Sequence, residues 1–170
     1  MNLQNKQLPS GVEIRYTEAE DGKYLKQWLM ESTTGCWFPM DDEIEVDDAV
    51  IRWIAFYQYK CSLTITKDGI PCGLATLYLQ PYRKIAHQCE FGIIIGQEYR
   101  NQGIGSCLLN AIMHLAKEKF KIELLHLQVY AINPAMNLYK RFGFTEFGRQ
   151  NTWIKEKDGY QGRIFMERLL

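Results

Sequence analysis

Apolar and polar positions along this chain repeat with two periods, and the switches between them outline the elements. Val12-Glu13-Ile14-Arg15-Tyr16 alternates with period two and predicts a first strand. Within 22–31, Tyr24, Leu25, Trp28 and Leu29 recur at helical spacing, with Asp21 placed to cap the helix. After a loop, a second helical pattern runs over 48–59. Segments 62–66 and 71–79 read as strands joined by Asp68-Gly69, a hairpin pair. Segment 87–95 predicts a central strand. Ile104, Cys107, Leu108, Ala111, Ile112 and Leu115 then mark the apolar face of a helix over 104–120. A strand over 124–129, a short helix opened by Pro134, and two closing strands near 145–154 and 162–169, linked by Asp158-Gly159, complete the chain. The order β-α-α-β-β-β-α-β-α-β-β predicts a mixed α/β (α+β) fold with a largely antiparallel sheet.

Composition narrows the class. With 170 residues, the chain has room for one domain, 1–170, with a sizeable core. Twenty basic residues balance twenty acidic ones, so bulk charge gives no reason to expect nucleic acid or a membrane surface as partner. No apolar run reaches the length of a membrane span, and residues 1–6 lack a signal-peptide layout. Cys36, Cys61, Cys72, Cys89 and Cys107 form no Cys-x-x-Cys pair, and His87, His114 and His126 lie far apart. We therefore expect no metal and a cytoplasmic, reducing location, with several of the cysteines serving as small buried apolar groups.

The chemistry concentrates where the central strand meets the long helix. Phe91-Gly92-Ile93-Ile94-Ile95 leads through Arg100-Asn101-Gln102-Gly103-Ile104-Gly105-Ser106 into the helix. A strand that opens through glycines into a helix start makes an anion site. Its first N–H groups have no intrahelical partner, the helix dipole adds positive charge, and glycine permits close approach of phosphate. The missing residues narrow the ligand. Ser106-Cys107 after the second glycine lacks the Lys-Ser/Thr of a P-loop, and Leu108 stands where a dinucleotide fingerprint needs its third glycine or alanine. The loop points to a phosphorylated cofactor, and its alternative is a tight strand-to-helix turn.

Arg-x-x-Gly-x-Gly resembles the acyl-CoA pyrophosphate loop of the GCN5-related N-acetyltransferase (GNAT) superfamily. A second stretch agrees: Leu127-Gln128-Val129-Tyr130-Ala131-Ile132-Asn133-Pro134-Ala135-Met136-Asn137-Leu138-Tyr139, followed by Gly143-Phe144, is similar to that superfamily's strand, Asn, Leu-Tyr helix and Gly-Phe. The resemblance runs from about Val12 to the C-terminus and is loosely similar to the polyamine and ribosomal-protein acetyltransferase branches. It implies helices on both faces of the sheet and two central parallel strands, ending near Ile95 and Val129, that splay apart. Acetyl-CoA would be the co-substrate. Its pantetheine arm would pair with the backbone of Ile93, Ile94 and Ile95, while Arg100, Asn101, Gln102, Gly103, Ile104, Gly105 and Ser106 would receive the phosphates.

The resemblance also implies that Tyr139 is the general acid beside the thioester sulfur, and that Asn133 contacts the pantetheine arm. A plain helix N-cap is the other reading of Asn133, and the two are compatible. The family usually sets its Asn and Leu-Tyr one residue further apart, with Ala where this chain has Met136. Either the loop is one residue shorter here or Asn133 is displaced.

Glu90 is the candidate base, acting directly or through water, because strand alternation can aim it into the cleft. His87, at an odd spacing from Glu90, is expected to be solvated. Residues 33–48 hold Trp37, Phe38, Asp41 and Glu43, an aromatic and acidic set suited to a cationic acceptor; an acidic run also favours a helix start. The reaction expected is direct transfer of an acetyl group to a primary amine, on a small molecule or a protein N-terminus. A catalytically inert acyl-CoA sensor on the same fold is the alternative, and a nucleotide-binding module is a third. Homodimers are common in the superfamily, which leaves a dimer open.

Overall fold

The computed structural model describes residues 8–170; the polar lead-in at 1–7 lies outside the described residues. Seven strands form one sheet in the order β1-β2-β3-β4-β5-β7-β6, with β1 Val12–Tyr16, β2 Ser62–Lys67, β3 Ile70–Leu79, β4 Gln88–Ile95, β5 Leu124–Tyr130, β6 Thr145–Glu156 and β7 Gly159–Leu169. Every neighbouring pair is antiparallel except β4 and β5. Asp68 and Gly69, at φ 51° and 80°, make the left-handed two-residue turn joining β2 to β3.

The helices are α1 Gly22–Met30, α2 Ser32–Gly35, α3 Glu43–Ile54, α4 Ile104–Glu118 and α5 Met136–Arg141. They lie on both faces of the sheet. Ile104, Leu108 and Ile112 of α4 bury their stripe against Leu63, Ile65, Phe91 and Leu127, and Tyr139 of α5 joins that core. On the other face, Leu25, Trp28 and Leu29 of α1 and Val46 and Trp53 of α3 pack on Leu74 and Ile94. Alternation along β4 therefore assigns Phe91, Ile93 and Ile95 to the α4 face, and Glu90, Gly92 and Ile94 to the α1/α3 face.

The start of α3, the start of α5 and the cap of α1 differ from the sequence reading; α5 begins at Met136, two residues after Pro134. Helix α3 begins at Glu43, five residues before the expected start, because the acidic run is its N-terminus. Asp42 accepts from Glu45 N at 2.8 Å, and Glu45 reaches back to Asp41 N at 2.8 Å, so two orphan amides are satisfied reciprocally. Asp21 precedes α1 but does not cap its amides. Its buried carboxylate instead takes both Arg15 terminal nitrogens at 2.7 and 2.8 Å, Thr64 Oγ1 at 2.8 Å and Glu18 N at 2.9 Å. Burial opposes the charge on Asp21, yet the Arg15 hydrogen bonds and the two neutral donors hold its carboxyl below the usual range.

Candidate active site

Strands β4 and β5 are paired only at their start, through Gln88↔Leu124, Cys89↔Leu125 and Glu90↔His126. Beyond Glu90 they part, and the gap opens a cleft of about 1300 Å³ lined from both strands, α5, the loop before α4 and the segment after α2. Parting leaves the facing edges of two inner strands without each other's hydrogen bonds, an arrangement suited to an extended ligand of alternating donors and acceptors.

At the far end of β4 the backbone N–H groups of residues 101–106 make no hydrogen bond among the described residues; the first bond of the helix start is Cys107 N to Gly103 O, at 3.1 Å. Gly103, at φ 82°, turns this run of amides into the helix, and nothing lies within 4 Å of the position a Cβ would take. The backbone at Gly103 is thus open to close approach, as an anion site requires. The side chains of the loop do other work. Ile104 is buried in the core and contributes only its backbone. Gln102 donates to Glu98 O at 2.7 Å and accepts from Lys67 at 2.8 Å, turning away from the cleft.

Arg100 sits differently from the expected phosphate contact. Its Nε donates to Ile95 O at 3.1 Å, and its terminal nitrogens donate to Thr33 O at 3.1 Å and Thr34 Oγ1 at 2.6 Å. The guanidinium ties α2 to the end of β4 and occupies the Ile95 carbonyl expected to pair with a ligand. Lys140 and Arg141 on α5, to which the sequence reading gave no role, line the cleft as further cations.

Tyr139 and Glu90 reach the cleft from opposite faces of the sheet. Tyr139 is 7% exposed, with its ring held edge-on by Phe91 and Phe144 at centroid distances of 6.2 and 6.1 Å. Its hydroxyl has no hydrogen-bond partner among the described residues, and no sealed polar side-chain atom among them lacks one, so the hydroxyl meets the cleft. Burial pushes this phenol above its ordinary value and keeps it protonated. Glu90 accepts from Gln128 Nε2 at 2.7 Å, and Gln128 Oε1 in turn accepts from Arg163. Because a guanidinium only donates, Arg163 fixes the amide so that its NH₂ faces Glu90.

Asn133 lines the cleft, and its Oδ1 accepts from Ala135 N at 2.9 Å, so it caps the turn leading to α5. Ile93, Ile94, Ile95, Asn101, Gly103, Gly105 and Ser106 also line the cleft. Trp37 and Phe38 form its wall on the α1/α3 side; Asp41 and Glu43 stand outside it. Glu43 binds Lys26 at 2.8 Å, as does Asp47 at 2.6 Å, and Asp48 pairs with Arg52, so three of the six carboxylates of the acidic run are engaged within α1 and α3. His87 is exposed and precedes β4; its carbonyl accepts from Glu123 N and Leu124 N.

Tyr78, Trp53 and Gln128 were missed as site residues. Tyr78 is the register partner of Glu90 on β3. A Cβ on Gly92 would come within 2.7 Å of the Tyr78 hydroxyl and 3.0 Å of Trp53, so glycine there lets both reach the floor of the cleft. Burial first, and Glu90 second, push the Tyr78 phenol above its ordinary value. Alternation with the buried Leu74 and Thr76 was the available signal for Tyr78, whereas Gln128 needs the β4–β5 register.

A strand-shaped gap that ends on free helix-start amides, with a neutral phenol and a carboxylate facing across it, fits a donor with an extended arm and a diphosphate. The chain belongs to the Acetyltransferase (GNAT) family, whose profile matches residues 20–144. Over 109 residues it is 46% identical to an N-alpha-acetyltransferase of Sulfurisphaera tokodaii (strain DSM 16993 / JCM 10545 / NBRC 100140 / 7), covering 60% of this chain and 54% of that protein. Over 103 residues it is 25% identical to the L-amino acid N-acetyltransferase AaaT of Escherichia coli (strain K12), covering 60% and 64%. The matches thus span less than two thirds of either relative. The Salmonella typhimurium protein yncA, solved with its cofactor acetyl-CoA, superposes with a TM-score of 0.76 at 16% identity, covering 95% of each chain, a likeness of fold. No helix of the described residues is long and apolar enough to cross a membrane.

Proposed function

We propose that this chain is one acetyltransferase domain that moves an acetyl group from acetyl-CoA directly to a primary amine. The observation that carries the reading is the placement of Glu90 and Tyr139 on opposite sides of the gap between β4 and β5. When bound, acetyl-CoA supplies the acetyl group as a thioester, whose carbonyl carbon is open to a neutral amine. The free amides of 101–106 hold its diphosphate, with Lys140 and Arg141 adding charge, and Asn133 shapes the turn beside its arm.

Glu90 accepts the proton that the ammonium must lose, directly or through one water. Its bond from Gln128 occupies one oxygen and leaves the other for this task. The nitrogen then forms the new C–N bond as the C–S bond breaks. Tyr139 gives its hydroxyl proton to the departing sulfur, the second proton shed by the nitrogen restores the phenol, and the first passes from Glu90 to solvent. A buried phenol is suited to this because it stays protonated across the physiological range. No covalent enzyme intermediate is needed: Cys61, Cys72 and Cys89 are buried, and their thiols are pushed up by burial, to about 11 for Cys61 and Cys72 and about 12 for Cys89.

The test is CoA release from acetyl-CoA against a panel of amines, amino acids and peptides with free N-termini. Turnover that disappears when Glu90 and Tyr139 are both replaced (Glu90→Gln, Tyr139→Phe) supports the reading. Acetyl-CoA binding without release across the panel overturns it in favour of an acyl-CoA sensor.

A further inference from the structure

A second hollow of about 340 Å³ is lined by Phe38, Met40, Ala49, Arg52, Trp53, Phe56 and Tyr78. Phe38, Trp53 and Tyr78 line both spaces, so the hollow adjoins the acceptor side, where Tyr78 is the register partner of Glu90. We propose that it is a side-group subsite, and that the acceptor is a monoamine bearing a large apolar or aromatic substituent near its nitrogen. This rests on the acetyltransferase reading given above.

Charge limits the acceptor first. Glu90 is the one carboxylate lining the cleft among the described residues, whereas Arg100, Lys140 and Arg141 line it as cations. A polyamine's second and third ammonium groups would find no further carboxylate lining the cleft, at a cost its apolar linkers do not offset. Of the acidic residues that suggested such a ligand, Glu43 and Asp47 are engaged by Lys26, Asp48 by Arg52 and Asp42 by an α3 amide, and Asp41 does not line the cleft. A single ammonium at Glu90 matches the site, with the faces of Trp37 and Trp53 as weak additional attraction.

Shape then selects the substituent. Trp53 is fixed by its Nε1 bond to Thr76 Oγ1, at 2.9 Å, and that hydroxyl is itself held by Ser62. Phe38 lies 5.9 Å from Trp53, and Phe56 meets Tyr78 edge-on at 5.2 Å. The walls are therefore rigid aromatic surfaces set before any ligand arrives, which lowers the cost of binding. Arg52 is at the rim, and its head group is drawn to Asp48. A planar apolar group entering past Phe38 meets ring faces and the Met40 thioether. An amine with no side group leaves the hollow to water.

The experiment compares kcat/KM for glycinamide, alaninamide, leucinamide, phenylalaninamide and spermidine by CoA release. Phenylalaninamide is expected to exceed alaninamide by about 10-fold or more, a step of the size hydrophobic pockets deliver, and spermidine to fall below both. Ala49→Phe, on the half-exposed side of α3, fills the hollow from its wall and is expected to reduce the phenylalaninamide-to-alaninamide ratio by about 10-fold. Equal rates along the series, a preference for spermidine, or an unchanged ratio in Ala49→Phe overturns the subsite. Calorimetric titration of phenylalaninamide separates this from failure of the transferase reading. If no CoA is released, binding weakened about 10-fold by Ala49→Phe still supports the subsite, and equal binding by both proteins overturns it.

Discussion

Glu90 and Gln128 are joined by a 2.7 Å hydrogen bond across the place where β4 and β5 part. The pairing of the two strands ends with Glu90 opposite His126, and Gln128 stands two residues further along β5 on the same face. The bond is the last cross-link before the cleft opens. It ties the base of the proposed reaction to the geometry of the gap.

Removing that link isolates its role. Gln128→Leu is expected to lower kcat/KM for the amine by about 10-fold while acetyl-CoA affinity stays within twofold, because the carboxylate loses its orientation and not its charge. Steady-state kinetics paired with acetyl-CoA titration checks this. Equal loss of donor affinity would make Gln128 a structural residue of the cleft.

Gly103→Val acts at the other end of the site. At φ 82° a β-branched residue is strained, and its methyl groups occupy space that is now open before the free amides of 101–106. We expect the acetyl-CoA Kd to rise about 10-fold or more, with about 1–2 kcal/mol lost in stability from the backbone alone. Titration of acetyl-CoA into the folded variant decides it, and an unchanged Kd would remove the phosphates from this loop.

Much of this was legible because the patterns are local. The strand–glycine–helix sequence from Phe91 to Ser106 and the Leu138-Tyr139 helix announce themselves through periodicity and glycine, and both line the cleft. The Asp41–Asp48 stretch stayed open between two readings for a physical reason: carboxylates that attract a cationic ligand are the same groups that cap a helix and favour its first turn, and the structure shows the run starting α3 with Glu43 and Asp47 on Lys26 of α1. The bonds of Arg100 to Thr33 O and Thr34 Oγ1 were not legible because those acceptors come from more than sixty residues earlier. Tyr78 and Gln128 enter the site through strand register, which no single strand reveals.

That reading of the acidic stretch has a direct check. Asp41→Asn and Glu43→Gln are expected to leave kcat/KM for the accepted amine within twofold, since neither residue lines the cleft. A large loss of amine affinity in either variant would return the run to the acceptor site.

Asp21 sets part of the acid limit of stability. Its folded-state pKa lies below the unfolded one, so its contribution is present above the unfolded value of about 3.9 and is lost as pH falls through the folded value. Asp21→Asn should cost on the order of 2 kcal/mol at pH 7, less than a fully buried pair because Arg15 is half exposed. Urea unfolding of both proteins should show the gap closing as pH drops below about 4. A gap independent of pH would assign the loss to packing.

The most direct measurement of the central claim is the turnover of Tyr139→Phe beside its affinity for acetyl-CoA. The ring would keep its contacts with Phe91 and Phe144, and only the hydroxyl that meets the cleft would be removed. The account predicts a kcat lower by about 10²–10⁴-fold with an unchanged acetyl-CoA Kd. A kcat within twofold of the parent would contradict it and take the proton of the departing sulfur away from Tyr139.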